Sequence, residues 1–328
     1  MSKIVHISDD RSLGGVSRLL ETLLSSALGF RFAMDLKTTR EALRCDSDEV
    51  AAFIVHEPGS WSRIWTLKRL PRRRPVVVVE HHYSRCFEQR KVPSSSRFRA
   101  MLRCYYAQAE VVVAVSESQK NWMLESDLVG PEKVRVISPA VDLSRFLELP
   151  SELWTADRPL RLGAYGRFDE QKGFVELLKE LTSRREIPLR LRIGGYGPLQ
   201  GRLRELAAGD SRIEILGRIS DPVEFLAETD LVVIPSLWEP YGLIGLEARA
   251  AGKPVLVSSA DALPEQARGC GAVFRETAEI HDLLSGWTPH RLETLARNAR
   301  CSVFSALESR LDRWADLFVD LTPSSIRP

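Results

Sequence analysis

Two glutamates eight positions apart, Glu239 and Glu247, bracket a pair of glycines in WEPYGLIGLE at 238–247. The run before them, DLVVIPS at 230–236, reads as a buried strand. Pro240 ends the extended stretch, and Gly242 opens a helix through LIGLEARAAG. Glu239 is then expected in a loop at the carboxyl end of a strand, with Glu247 more than one turn inside the helix. Between them the first backbone N–H groups, at Gly242 and Leu243, point outward with the helix dipole behind them, which makes an anion site. An acid on each flank of a phosphate cradle suits a ligand laid out as hydroxyls, phosphates and hydroxyls again. A nucleoside diphosphate sugar has that order.

A second stretch, LGAYGRFDEQKG at 162–173, ends a strand, turns through Gly166 and sets Arg167 five positions before Lys172. A guanidinium that grips oxygens bidentately and an ammonium acting as a mobile point charge suit a diphosphate. The plain alternative is two surface cations beside Asp169 and Glu170. IGGYGPLQG at 193–201 is not a dinucleotide fingerprint, because its third glycine comes four residues after the second and it lies on the second strand of its domain. It reads as a tight strand-to-helix turn that lets a ligand approach closely at Gly195. The acids of DSD at 46–48 imitate a metal-binding D-x-D but precede a strand, and the cationic clamp already neutralises phosphate, so no catalytic metal and no cofactor are expected.

The elements that must carry these groups alternate along the chain. KIVHIS, VAAFIVH, PVVVVEH, AEVVVAVS and KVRVIS are short, apolar, β-branched runs with helical segments after the first four. A proline-bearing connector at 138–159 reads as a linker. The alternation then resumes through LRLGAYG, LRLRIGG, IEILG, DLVVIPS and KPVLVS. Two parallel, doubly wound α/β sheets in series follow from this pattern, and 328 residues suit two domains of near-equal size. After Pro289, Leu292, Leu295, Val303, Leu307, Leu311, Trp314, Leu317 and Phe318 fall on one helical face expected to pack as core.

A composition of 44% hydrophobic and 27% charged residues excludes disordered and fibrous classes. The opening MSKIVHISDD has no secretory h-region, and the apolar runs are too short to span a bilayer. Five scattered cysteines without C-x-x-C spacing argue against a disulfide framework or zinc site and for a reducing cytoplasm. Between Pro58 and Arg103 stand twelve Lys or Arg against two acids, Glu80 and Glu88. Trp61, Ile64, Trp65 and Leu67 lie among Arg63, Lys68, Arg69 and Arg72 to Arg74, as in an interfacial helix. An anionic membrane surface is therefore an expected partner, against the plain reading of a solvated basic face. Nucleic acid is not expected, because no recognised nucleic-acid module accompanies the charge.

EPYGLIGLE and GRFDEQKG, with GGVSR at 14–18, AVSES at 114–118, GYGP at 195–198, DLVVIPS and AGKPVL, closely resemble the E-x7-E and G-R-x4-K-G signatures of the retaining family 4 glycosyltransferases with the two-domain GT-B fold. The resemblance covers nearly the whole chain. It implies two facing Rossmann-like domains, an acceptor-side domain at 1–150 and a nucleotide-sugar domain at 151–302, with a C-terminal helix at about 303–328 packing back on the first. It implies that Arg167 and Lys172 hold the donor diphosphate, Glu239 lies near the sugar hydroxyls and Glu247 holds the ribose. It implies that Gly195, Ile219, Gly242 and Leu243 line the donor, that Gly14 and Gly15 allow close backbone approach to the phosphate or the acceptor, and that His81, ranked above His82 and His56, faces the donor sugar. Glu265 looks like the acid of the family's G-G-x-x-E turn, with Asp261 and Ala262 where the glycines would stand, and SPAVD at 138–142 lacks the usual asparagine-glycine. The activity implied is metal-independent, retaining transfer of a hexose-type sugar to a glycan, lipid-linked or small-molecule acceptor in cell-surface polysaccharide or glycoconjugate synthesis. Uracil and guanine both suit the donor base on this reading, and a non-catalytic nucleotide-sugar-binding protein or a GT-B epimerase or phosphorylase are the alternatives.

Overall fold

A computed structural model of the chain describes residues 3–10, 14–71, 74–150, 152, 154–304 and 306–322. The chain divides into two compact units, Met1–Asp142 with Leu307–Pro328, and Leu143–Ala306.

The first unit holds β1 (Lys3–Ile7), β2 (Met34–Lys37), β3 (Val50–Val55), β4 (Val76–Glu80), β5 (Val111–Ala114) and β6 (Val134–Val136). They form one parallel sheet in the order β2-β1-β3-β4-β5-β6. Every residue of VAAFIV and VVVVE is buried, as central strands covered by helices on both faces must be. The chain winds outward one way to β2 and then the other way from β3, so its direction reverses between β1 and β3. The C-terminal helix Ala306–Leu321 belongs to this unit: Phe318 packs against Phe32 with ring centroids 5.3 Å apart, and Trp314 and Phe318 both meet His6.

In the second unit, β7 (Leu160–Arg167), β8 (Leu189–Tyr196), β9 (Ile213–Gly217), β10 (Leu231–Ile234), β11 (Val255–Ser258) and β12 (Gly271–Phe274) pair in the order β12-β11-β10-β7-β8-β9, again all parallel. Here the reversal falls between β7 and β10, and such a switch point opens a crevice at the strands' carboxyl ends. At the opposite end of β10 the fully buried Asp230 accepts from Arg158 at 2.6 and 2.9 Å, from the Arg161 guanidinium at 2.9 Å and from the Arg161 backbone N–H at 2.9 Å. Burial alone would raise its pKa, but these donors outweigh burial and hold it below the usual carboxylate value.

Three readings of the sequence change. Each sheet has six strands instead of five: MDLK of β2 is only half-buried and GAVF of β12 carries exposed Val273, so neither edge strand shows a continuous apolar run. The connector at 138–159 contains a helical turn, Ser144–Leu147. On the helix Trp61–Arg69, Trp61 and Trp65 are 55% and 65% exposed, but Ile64 and Leu67 are only 6% and 7% exposed and pack in the core. Ile64 and Leu67 therefore cannot dip into a membrane: their three-residue spacing puts them on one side of the helix, which is packed into the core, while Trp61 and Trp65, four apart, share the adjoining side that faces water.

The basic stretch is also less positive than its count. Arg63 pairs with Glu57 at 2.8 Å and Asp9 at 2.7 Å, and Arg85 with Glu125, acids that the count leaves out; Arg99 pairs at 2.6 Å with Glu88, which it includes. Lys68, Arg69, Arg90 and Arg97 remain exposed, while Arg72 and Arg73 lie outside the described residues. No helix among the described residues is long and apolar enough to cross a membrane.

Candidate active site

The second unit gathers its candidate groups at the β7/β10 switch point. Arg167 is the last residue of β7, and Lys172 ends the helical turn Glu170–Lys172 that follows. Gly173 then takes φ +64°, and a Cβ there would stand 2.0 Å from the Pro235 carbonyl oxygen, so only glycine lets the loops after β7 and β10 close on each other. The Leu237 N–H donates to the Gln171 carbonyl at 2.7 Å, and the Gln171 side chain donates to the Trp238 carbonyl at 3.1 Å. These bonds place the Lys172 ammonium 2.5 Å from Glu239 Oε2, with both side chains largely shielded at 13% and 12% exposure. Ser236 Oγ donates to the same carboxylate oxygen at 3.2 Å. Arg167 is 68% exposed, 3.3 Å from Asp169, and donates to Gln171 Oε1 at 3.1 Å.

The helix Leu243–Ala250 begins as its sequence suggests, with Gly242 in the left-handed region at φ +90° and no N-cap side chain covering the first turn. Glu247 lies inside that helix, buried at 2% exposure, and accepts from the Tyr165 hydroxyl at 2.5 Å. A carboxylate has lone pairs for further donors, so this bond is compatible with a second, ligand hydroxyl. Gly195, at φ +150°, sits where a Cβ would fall 1.8 Å from the Gly166 carbonyl oxygen, and Ile219 packs into the space left by Gly194. Glu265 stands in the first turn of the helix Leu263–Ala267.

Asp261 was read in the sequence only as a departure from glycine. It adopts φ +45°, a conformation that a short acid side chain reaches at lower cost than most residues, and its Oδ2 accepts from the Glu239 N–H at 2.9 Å. Asp261 thus holds the loop that carries Glu239, and Tyr165 holds Glu247. Neither role has a local signature, since the bonds span 22 and 82 positions.

The remaining sequence candidates belong to the first unit and are described as its own. Gly14 caps the helix Gly15–Ser25 with extended backbone at φ −151°, which any residue adopts, so conformation alone does not require glycine there. His81 follows β4 directly and is part of a chain of imidazoles. His6 Nδ1 lies 3.0 Å from His56 Nε2, and His56 Nδ1 lies 3.0 Å from His81 Nε2. Burial lowers His6 to about 4; burial and then the neighbouring His82 lower His81 to about 3; burial, then His81, His6 and His82, lower His56 well below its usual value. All three are neutral at pH 7. His82 is exposed and outside the chain of bonds, and His56 is its central link. Asp46 caps the turn Ser47–Glu49 by accepting from the Asp48 N–H, and Asp48 lies 3.7 Å from Arg74, so DSD has local structural duties.

Comparison with known proteins gives the family. Residues 159–285 match the family described as Glycosyl transferases group 1, and residues 11–145 match Glycosyltransferase Family 4. The putative glycosyltransferase EpsF of Bacillus subtilis is 29% identical over 211 residues, 60% of this chain and 53% of that protein. A GDP-mannose-dependent alpha-(1-6)-phosphatidylinositol dimannoside mannosyltransferase of Mycobacterium tuberculosis is 26% identical over 253 residues, 72% of this chain and 64% of that protein. The chain spans about half the length of the first curated relatives it matches. Among solved structures, sucrose-phosphate synthase of Thermosynechococcus elongatus superposes with a TM-score of 0.78 at 18% identity, covering 99% of this chain and 100% of that one. Anabaena HepE in complex with UDP gives 0.76 at 16% identity, covering 97% and 100%. With two six-stranded parallel sheets, both family matches and the paired signature motifs in place, the chain belongs to the family 4, group 1 glycosyltransferases of the GT-B fold.

Proposed function

We propose that the protein transfers a hexose-type sugar from a nucleoside diphosphate sugar to a glycan, lipid-linked or small-molecule acceptor, with retention at the anomeric carbon and without a catalytic metal. The observation that carries this reading is the convergence of Lys172, Glu239, Arg167 and the glycine-capped start of the helix Leu243–Ala250 at one switch point. In the transfer, the bond from the anomeric carbon to the diphosphate oxygen breaks, and the acceptor oxygen bonds to that carbon on the same face. The acceptor's proton passes to the departing phosphate. Lys172, Arg167 and the helix N–H groups take up the charge that develops on the diphosphate. Glu239 receives sugar hydroxyls and Glu247 the ribose, and the acceptor is assigned to the first unit. Synthesis of a cell-surface polysaccharide or glycoconjugate is the setting that suits such acceptors.

Thermal unfolding in the presence of UDP- and GDP-hexoses tests the donor class. A ligand at about 100 times its Kd adds roughly 2.7 kcal/mol of stability. Glu247→Ala is expected to weaken binding of the bare nucleoside diphosphate, and Glu239→Ala to spare it. Absence of protection by every nucleotide sugar would end the donor assignment.

We also infer a weak attraction to anionic membrane, supported by exposed Trp61 and Trp65 with Lys68 stacked 5.2 Å over the Trp65 ring and Arg69 beside it. Each cation near the surface contributes about 1 kcal/mol. Cosedimentation with anionic vesicles is expected to fall between low and physiological salt; binding indifferent to salt and lipid charge would leave a solvated basic face.

A further inference from the structure

His6 lies in β1, and His56 and His81 directly follow β3 and β4, three strands that are adjacent and parallel in the sheet. The rings stack with centroids 5.3 and 5.2 Å apart and planes within 20° and 18°. Both contacts run in the same sense, Nδ1 of one ring to Nε2 of the next. A neutral imidazole has one N–H and one bare nitrogen, so a head-to-tail chain of three permits only two proton arrangements. Either all protons sit on Nδ1 or all sit on Nε2. Any mixture sets two N–H groups, or two lone pairs, against each other.

The inner end of the chain distinguishes the two. His6 is fully buried, and among the described residues its Nε2 has no hydrogen-bond partner. With protons on Nε2, that end would be an orphaned buried N–H, the rarer and costlier kind of defect. The indole of Trp314, packed edge-on to His6 with centroids 6.5 Å apart, carries another buried N–H with no partner among the described residues. Two orphan donors on neighbouring rings repel, whereas an orphan donor near a bare lone pair is attracted. We propose that His6 and His56 are positioning residues which lock His81 as its Nδ1–H tautomer, presenting a fixed hydrogen-bond donor to a sugar hydroxyl oxygen. His81 then receives at Nε2 from His56 and has no second bare nitrogen, so it orients a substrate and does not act as a general base. The sugar as the recipient rests on the transferase reading; the proton arrangement does not.

The test is long-range ¹H–¹⁵N correlation of the imidazoles in the full chain at pH 7, its six histidines assigned by single substitutions. His6, His56 and His81 are expected to show protonated Nδ1 and bare Nε2. Replacing His56 with phenylalanine keeps the stack and removes the nitrogens. In His56→Phe the His81 signature is expected to move towards Nε2–H, and kcat/KM to fall about tenfold, the size of one net hydrogen bond. A proton on Nε2 of any of the three in the unaltered protein, or a His81 signature unchanged in His56→Phe, overturns the proposal. Failure of the transferase reading is seen separately, as absence of donor protection, because the nitrogen signatures need no ligand.

Discussion

Lys172→Ala is expected to lower kcat/KM for sugar transfer by roughly two to three orders of magnitude, the range seen when one group that stabilises developing charge is removed. Two losses combine in that variant. The departing diphosphate loses its shielded cation, and the Glu239 carboxylate, 12% exposed and 2.5 Å from the ammonium, loses its ion-pair partner. Arginine is not expected to rescue it, since a planar, delocalised guanidinium does not reproduce the point contact of the ammonium with Glu239 Oε2 at 2.5 Å. Arg167→Ala is expected to cost less, about tenfold, because its guanidinium is 68% exposed and screened by water beside Asp169. Steady-state kinetics on the two variants decides the matter. A Lys172→Ala enzyme within a few fold of the parent would remove the clamp from the mechanism.

Asp230→Ala is expected to destabilise the protein by about 3–5 kcal/mol, the usual cost of breaking a buried ion-pair cluster by removing one partner. Asp230 is fully buried at the start of β10, where it joins Arg158 and Arg161 and its own N–H donates to the Arg161 carbonyl at 2.8 Å. Its folded-state pKa is depressed below the unfolded value of 3.8, so the unfolded chain binds the proton more readily. The associated stability is present above that unfolded value and drains away as pH falls through the folded one. Urea unfolding at pH 7 and at successive values below 4 should show a large deficit in the variant that narrows on acidification. A difference under about 1 kcal/mol at pH 7 would show that the two arginines are solvated well enough without the carboxylate.

The sheet architecture was legible because parallel strands covered on both faces leave continuous apolar runs, and VAAFIV, VVVVE and LVVI are such runs. The edge strands β2 and β12 were not, since MDLK and GAVF bury too little to stand out from loop sequence. Charge counting saw the basic stretch but not Glu57, Asp9 and Glu125, which come to Arg63 and Arg85 from other elements. Amphipathic spacing likewise placed four apolar residues on one short helix without saying that Ile64 and Leu67 face the core while Trp61 and Trp65 face water.

By itself the sequence determined the features whose geometry is local. These are the glycines that let a strand turn into a helix, the helix start at Gly242, and the spacing of Arg167 from Lys172 and of Glu239 from Glu247. Covalent geometry sets such distances over a turn or two of chain, so residue type and separation suffice to read them. Tertiary structure alone decided which of these groups touch. Lys172 meets Glu239 across 67 positions, Tyr165 meets Glu247 across 82, and His6 reaches His81 through His56 over separations of 50 and 25. Those contacts depend on strand order, on β7 lying beside β10 and on β1, β3 and β4 lying side by side. That order is set by packing the whole sheet between its helices, a choice that no single segment encodes.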